Sequence, residues 1–304
     1  MRDLELGTTP GKVRRREALW TLAAMQLAPG ILPALAAPQG RTFTPSLPAA
    51  PFPAPNRRDG HTYDGVLYDA PTHYSDSTVG IYVPARFRAG ASLDVVVHFH
   101  GWRNHVAEVF QRYRLREQLD ASGLNAVLVV PQGPKDAPDS DFGKVEHVAG
   151  DFATLLQEIV AFLQAQGYAS IATIGQVVVT AHSGGYGGAG GVLTLGGAND
   201  RITDVILFDA AYGYYDAFAS WAAESAQRHL LSLFTDDTAT GNAVLMSKVQ
   251  APAPNLFVRD AATMTLDELR TRAPTFVVTT DVAHDDLLQK FSWFELFLKT
   301  TANA

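Results

Sequence analysis

Short runs of β-branched and other apolar residues alternate along this chain with longer stretches in which apolar positions recur every three or four residues. The runs at 65–68, 78–83, 93–99, 125–130, 176–181, 202–208, 229–234 and 275–280 predict eight strands, each a brief apolar stretch bounded by turn-forming residues. The intervening stretches 105–121, 151–166, 184–195, 215–226 and 284–299 predict helices. In the second, Phe152, Leu155, Leu156, Ile159 and Phe162 fall on one stripe, as packing against a sheet requires. Strands that alternate with helices from about Tyr63 onward predict an α/β fold, a mostly parallel eight-stranded sheet with helices on both faces.

Two segments stand apart from that pattern. Residues 38–56 contain Pro38, Pro45, Pro48, Pro51, Pro53 and Pro55 among small and polar residues, which favours extended backbone; 37–60 is therefore expected to be a Pro-rich linker, either a tether or a wrap over the domain at 61–304. In residues 1–36, Lys12, Arg14, Arg15 and Arg16 precede a mild apolar stretch that carries Pro29 and Pro33 and is short for a membrane span. That is the layout of an export signal, and Arg15-Arg16-Glu17-Ala18-Leu19 resembles a twin-arginine signal, although no bulky pair follows the arginines at the usual place. Cleavage after Ala34-Leu35-Ala36 implies a periplasmic or secreted protein with no stable membrane span.

Composition narrows the chemistry. The chain has 304 residues, 47% apolar and 18% charged, which suits one large globular core. There is no cysteine, so disulfides, thiolate metal sites and sulfur redox chemistry are excluded. Removing residues 1–36 takes away five basic and three acidic side chains and moves the net charge from −7 to −9. With no basic stripe on the chain, nucleic acid is not an expected partner. Nothing in the sequence specifies an oligomeric state.

The chemistry concentrates at Val177-Val178-Val179-Thr180-Ala181-His182-Ser183-Gly184-Gly185, an apolar strand that ends in small residues around a serine. Small neighbours let the backbone turn sharply so that the hydroxyl stands exposed at the strand's carboxyl end. This is the nucleophile-elbow pattern G-x-S-x-G with Ala181 in place of the first glycine. It predicts a serine hydrolase with Ser183 as nucleophile.

From about Tyr63 to its end the chain resembles the α/β-hydrolase superfamily. Val95-Val96-Val97-His98-Phe99-His100-Gly101-Trp102 is similar to the segment that supplies one oxyanion-hole amide there, about eighty residues before the nucleophile. Two fixed amides aimed at the developing oxyanion stabilise the transition state more than the substrate. The resemblance assigns them to Trp102 and Gly184. His284, after the last expected strand, suits the general base and completes the Ser, acid, His order. The resemblance puts the acid after the 229–234 strand, where Asp236 is favoured and Asp237 comes second, with Asp209 a further possibility. Asp281 and Asp285 read as loop and helix-start charges.

Two other readings compete. Gly185-Tyr186-Gly187-Gly188-Ala189-Gly190 matches the dinucleotide fingerprint G-x-G-x-x-G, with Asp209 nineteen residues beyond Gly190, but its first glycine comes too late after the strand. His98, His100 and His105 imitate part of a metallohydrolase pattern without its aspartate. The expected function is therefore an esterase-like serine hydrolase that needs no cofactor or metal, with a peptidase or amidase on the same residues as the alternative. Its substrate is a small or polymer-attached ester, held in an aromatic-rimmed cleft by His100, Tyr186 and Phe142. The stretch 210–228 is too short for a large lid.

Overall fold

The computed structural model describes residues 40–168, 170–250, 257–280 and 282–301. The expected export signal, with Arg15, Arg16 and the cleavage point at Ala36, and the loop residue Asp281 lie outside the described residues.

Nine strands form the main sheet among the described residues. They are β1 (Arg41–Phe43), β4 (Val79–Val83), β5 (Ser92–Phe99), β6 (Val127–Pro131), β7 (Thr173–His182), β8 (Ile202–Phe208), β9 (His229–Phe234), β10 (Phe257–Asp260) and β11 (Thr275–Val278), and a separate antiparallel hairpin pairs β2 (His61–Tyr63) with β3 (Val66–Tyr68). The sheet order is β1-β4-β6-β5-β7-β8-β9-β11-β10. The pairs β1/β4 and β4/β6 are antiparallel and all the others parallel. β7 sits in the middle, in register with β5 through Val97↔Val179 and Phe99↔Ala181 and with β8 through Ala181↔Leu207.

Strand alternation divides the core into two layers. Val95, Val97 and Phe99 of β5, Val177, Val179 and Ala181 of β7, and Val205 and Leu207 of β8 face one side. Val96, Val178, Ile206 and Phe208 face the other. Because both faces are covered, these strands carry continuous apolar runs. Helices α1 (Ala70–His73), α2 (Val106–Arg112) and α3 (Leu115–Ser122) precede α4 (Gly143–His147), α5 (Asp151–Ala165), α6 (Tyr186–Thr194), α7 (Tyr215–Ala223), α8 (Ala239–Gln250), α9 (Leu266–Leu269) and α10 (Trp293–Leu298). The first layer is closed by α5, α6, α7 and α8, through Leu155, Ile159, Val192, Trp221 and Leu245. The second is closed by α2, α3 and α10, through Phe110, Leu119, Phe294 and Phe297.

Departures from the expected elements have local causes. The run at 65–68 belongs to the detached hairpin, while β1 and β10 join the sheet with three and four residues each, too few to show a period. The expected helix at 105–121 breaks at Arg114 and that at 284–299 at Phe291 and Ser292, all in the left-handed region (φ +51°, +60° and +53°).

The Pro-rich segment runs over the domain as packed chain. Leu47, Ala49 and Ala50 enter the first layer, and Phe52 and Ala54 are buried with Tyr74 and Ala137. Arg57 closes the wrap with two bonds to Asp139, Nε to Oδ2 at 2.7 Å and a terminal nitrogen to Oδ1 at 3.1 Å. That ties the segment to the loop after β6, which borders the site described next.

Candidate active site

Ser183 follows β7 directly with φ +53°, a left-handed conformation that costs a non-glycine residue roughly 1–3 kcal/mol and persists only where the surroundings enforce it. They do so by close approach. A Cβ on Gly185 would stand 2.1 Å from the carbonyl oxygen of Phe99, so only glycine lets the turn lie this near β5. The serine is thereby raised above the carboxyl ends of the strands.

His284, in the turn after β11, meets it there: Ser183 Oγ lies 2.8 Å from His284 Nε2, and His284 Nδ1 lies 3.1 Å from Asp209 Oδ2. Asp209 directly follows β8 and is fully buried. Its Oδ1 accepts from Thr235 N–H at 2.7 Å and from Thr238 Oγ at 2.6 Å, and Oδ2 also accepts from Thr235 Oγ at 2.5 Å. Burial opposes ionisation, but the bonds from His284, Thr235 and Thr238 outweigh it and hold the Asp209 pKa below the ordinary carboxylate value. An ionised Asp209 can only accept, so His284 Nδ1 carries the proton and Nε2 presents its lone pair to the serine hydroxyl. Burial also works against an imidazolium at His284. The bond and charge of Asp209, then the charges of Asp285 and Asp237, raise its pKa above the ordinary imidazole value all the same. The line of three groups can take a proton from the serine and hold the resulting positive charge.

The carboxylate beside His284 is thus Asp209, where the sequence favoured Asp236 and then Asp237. The chain turns at Thr235 so that both adjacent acids face solvent; Asp237 is 63% exposed and its Oδ2 is 3.9 Å from His284 Nδ1. The turn after β9 supplies instead the hydroxyls of Thr235 and Thr238 that hold Asp209. The signal for Asp209 was an acid directly after an apolar run, Val205-Ile206-Leu207-Phe208, where a buried charge needs partners.

The segment after β5 passes next to the serine: a Cβ on Gly101 would lie 2.8 Å from Ser183 Cβ. His100, expected to contact substrate, is buried and works on the backbone. Gly133 N–H donates to its Nε2 at 3.0 Å, so its Nδ1 is the donor to the Gly101 carbonyl at 2.8 Å. That carbonyl shares a planar peptide unit with the N–H of Trp102, so fixing one orients the other. Phe142, the second expected substrate contact, is also buried, edge-on to Phe99 and His100. Tyr186, the third, is half-buried and packs on Tyr212, which meets the His284 ring edge-on.

The Trp102 indole is 40% exposed and lies across Gly184, where an added Cβ would be 2.3 Å from its Cδ1. Its N–H donates to Ser140 Oγ at 2.8 Å, and Tyr63 from the hairpin packs edge-on against it. Tyr63 with Trp102, and Tyr186 with Tyr212, thus line the approach to the serine.

The competing readings fare differently in three dimensions. A Cβ on Gly187 would be 2.0 Å from the Ser140 carbonyl and one on Gly190 2.1 Å from Tyr214 Cγ. Those glycines let α6 pack closely and leave no room for a dinucleotide. His98 bonds Thr180, His100 bonds Gly101 and Gly133, and His105 bonds Asp136, so the three imidazoles do not converge. Among the described residues, the groups of potential metal ligands include His105 in one and His284 in another, but neither His98 nor His100.

The strand order, the turn after β7 and the crossover helices define the α/β-hydrolase fold, and this chain has that fold. No protein-family model matches the chain, and no curated protein matches it in sequence. Among solved structures it is similar to the feruloyl esterase module from Clostridium thermocellum, a mutant complexed with sinapinate. Identity is 11%, the likeness covers 87% of this chain and 89% of that one, and the TM-score is 0.55. It is also similar to a protein solved under the name FAE, at 12% identity, 86% and 89% coverage and a TM-score of 0.51. A ferulic acid esterase matches at 11% identity, 86% and 98% coverage and a TM-score of 0.49.

Proposed function

We propose that this protein is a serine hydrolase of carboxylic esters. Ser183 attacks the acyl carbon, His284 takes its proton and returns it to the leaving alcohol, and Asp209 holds the imidazole in the required tautomer. The amides of Trp102 and Gly184 receive the oxyanion, and water then releases the acyl group by the same route. The observation that carries this reading is the hydrogen-bonded line from Ser183 Oγ through His284 to a buried, fully bonded Asp209.

Ester is preferred to amide because it is the chemically easier substrate for such a site. The exposed rings of Tyr63, Trp102 and Tyr212 support an ester with a flat apolar group, and the neighbour solved with sinapinate holds an aromatic acid. The basic, apolar segment at 1–36 supports export, with a mature protein that acts in the periplasm or outside the cell.

A fluorophosphonate probe is expected to label the wild type and not Ser183→Ala, with activity unchanged by EDTA. Chelator-sensitive activity without labelling would point to metallohydrolase chemistry instead. A panel of p-nitrophenyl esters, alkyl against aryl, sorts the acyl preference. For export, changing both Arg15 and Arg16 to lysine is expected to retain the protein in the cytoplasm, read by cell fractionation.

A further inference from the structure

His182 precedes the serine and has no part in the proton path, yet it touches the base. It is buried, and its Nε2 lies 3.0 Å from the carbonyl oxygen of His284. A carbonyl can only accept, so Nε2 carries the proton and donates it. Burial, with the charge of His284 beside it, pushes the His182 pKa down to about 4, so the ring is neutral near pH 7. Its ring centre lies 5.0 Å from that of His284 at a tilt of 33°, and Tyr113 packs edge-on to it at 5.5 Å.

Among the described residues, the turn that carries His284 is flanked by buried Val282, Leu287 and Leu288, and few backbone bonds fix the turn itself. Thr279 N–H bonds Phe234 O at 2.9 Å on entry, and Asp286 N–H bonds Ala283 O at 2.9 Å on exit. Among the described residues, the His284 carbonyl otherwise receives only Leu287 N–H, at 3.5 Å. Asp209 fixes the ring by its Nδ1, about which the imidazole can still swing. A second constraint on the backbone of the same residue removes that freedom.

We infer that His182 is a positioning residue: through its Nε2–H bond to the His284 carbonyl it ties the base to the strand that carries the nucleophile, and so sets the Ser183–His284 distance. The inference rests on the Ser183–His284 reading proposed above. His182 ends β7 and Ser183 follows it directly, so shifts of β7 move the nucleophile and the donor that places its base together. A loss of about 1 Å in placement costs up to about 100-fold in rate.

The test compares His182→Phe, His182→Gln and His182→Ala in the full chain. Phe keeps an aromatic ring packed on Tyr113 and His284 but has no donor, whereas Gln restores an N–H donor without the ring. The expected result is a fall in kcat of about 10- to 100-fold for Phe and Ala with KM nearly unchanged, fluorophosphonate labelling slowed by the same factor, and most of the rate recovered by Gln. The far-downfield proton resonance of the His284–Asp209 bond is expected to broaden or shift in Phe and Ala and to return in Gln, which packing alone would not produce. Wild-type kcat and labelling in Phe would overturn the inference. So would a folded Gln variant as slow as Ala, which decides the matter even if Phe does not fold. Absence of labelling in the wild type itself would instead refute the serine reading and leave the distinction clear.

Discussion

Asp209→Asn keeps the shape of the side chain and changes one oxygen to NH2, yet the surroundings make it severe. Four donors converge on Asp209: Thr235 N–H, the hydroxyls of Thr235 and Thr238, and His284 Nδ1–H. Hydroxyls can rotate and turn acceptor, but the Thr235 amide, 2.7 Å from Oδ1, can only donate. The asparagine oxygen must therefore face Thr235, which leaves the NH2 facing His284 Nδ1. The imidazole then accepts at Nδ1 and carries its proton on Nε2, the tautomer that cannot take a proton from Ser183. A wrong tautomer with intact geometry costs about 10,000-fold in kcat, or about 5.4 kcal/mol in the barrier. Asp237→Asn, by contrast, removes a largely exposed charge 3.9 Å from the ring and is expected to cost about 0.5 kcal/mol, a two- to threefold effect. The assay is steady-state hydrolysis of p-nitrophenyl acetate, with thermal melting to verify that both variants fold. A loss of less than tenfold in Asp209→Asn, or a larger loss in Asp237→Asn, would refute the reasoning.

Further predictions follow from the same geometry. His284 acts as base only when neutral, and its pKa is raised, so kcat/KM is expected to fall as pH drops through a midpoint above the ordinary imidazole value of 6.5; a midpoint at or below it would mean that Asp209 does not outweigh burial. Gly185→Ala drives a methyl to 2.1 Å from the Phe99 carbonyl and 3.1 Å from that of His100, neither of which can yield, and is expected to lower stability by about 2–3 kcal/mol in urea unfolding. Arg57→Ala leaves the buried Asp139 carboxylate without its two-pronged partner; about 2–3 kcal/mol of stability and a higher KM for bulky esters are expected, because the loop it releases carries Ser140, which holds the Trp102 indole.

The strands themselves were legible along the chain because burial on both faces leaves continuous apolar runs, and those runs mark β4 to β9 and β11. The position of Ser183 was legible for a related reason: a turn this tight admits only small residues, and Ala181, Gly184 and Gly185 surround it in sequence. His284 was found from chain order, as the histidine after the last expected strand. Where a feature depends on three or four residues, as in β1 and β10, no period exists to read. Where a segment owes its packing to a distant partner, as the Pro-rich stretch does through Arg57 and Asp139, composition describes the backbone and not its neighbours.

The sequence alone thus determined the alternation of strand and helix, the strand that leads into Ser183 and the pair of side chains that end at 2.8 Å, since these follow from local pattern and connectivity. Tertiary structure decided the rest. It selected Asp209 over Asp236 and Asp237, because the angle at which the chain leaves β9 turns two carboxylates to water and three hydrogen-bond donors toward a third. It also drew His100 and Phe142 into the interior, where one orients a peptide and the other fills space, because burial depends on what the rest of the fold brings alongside.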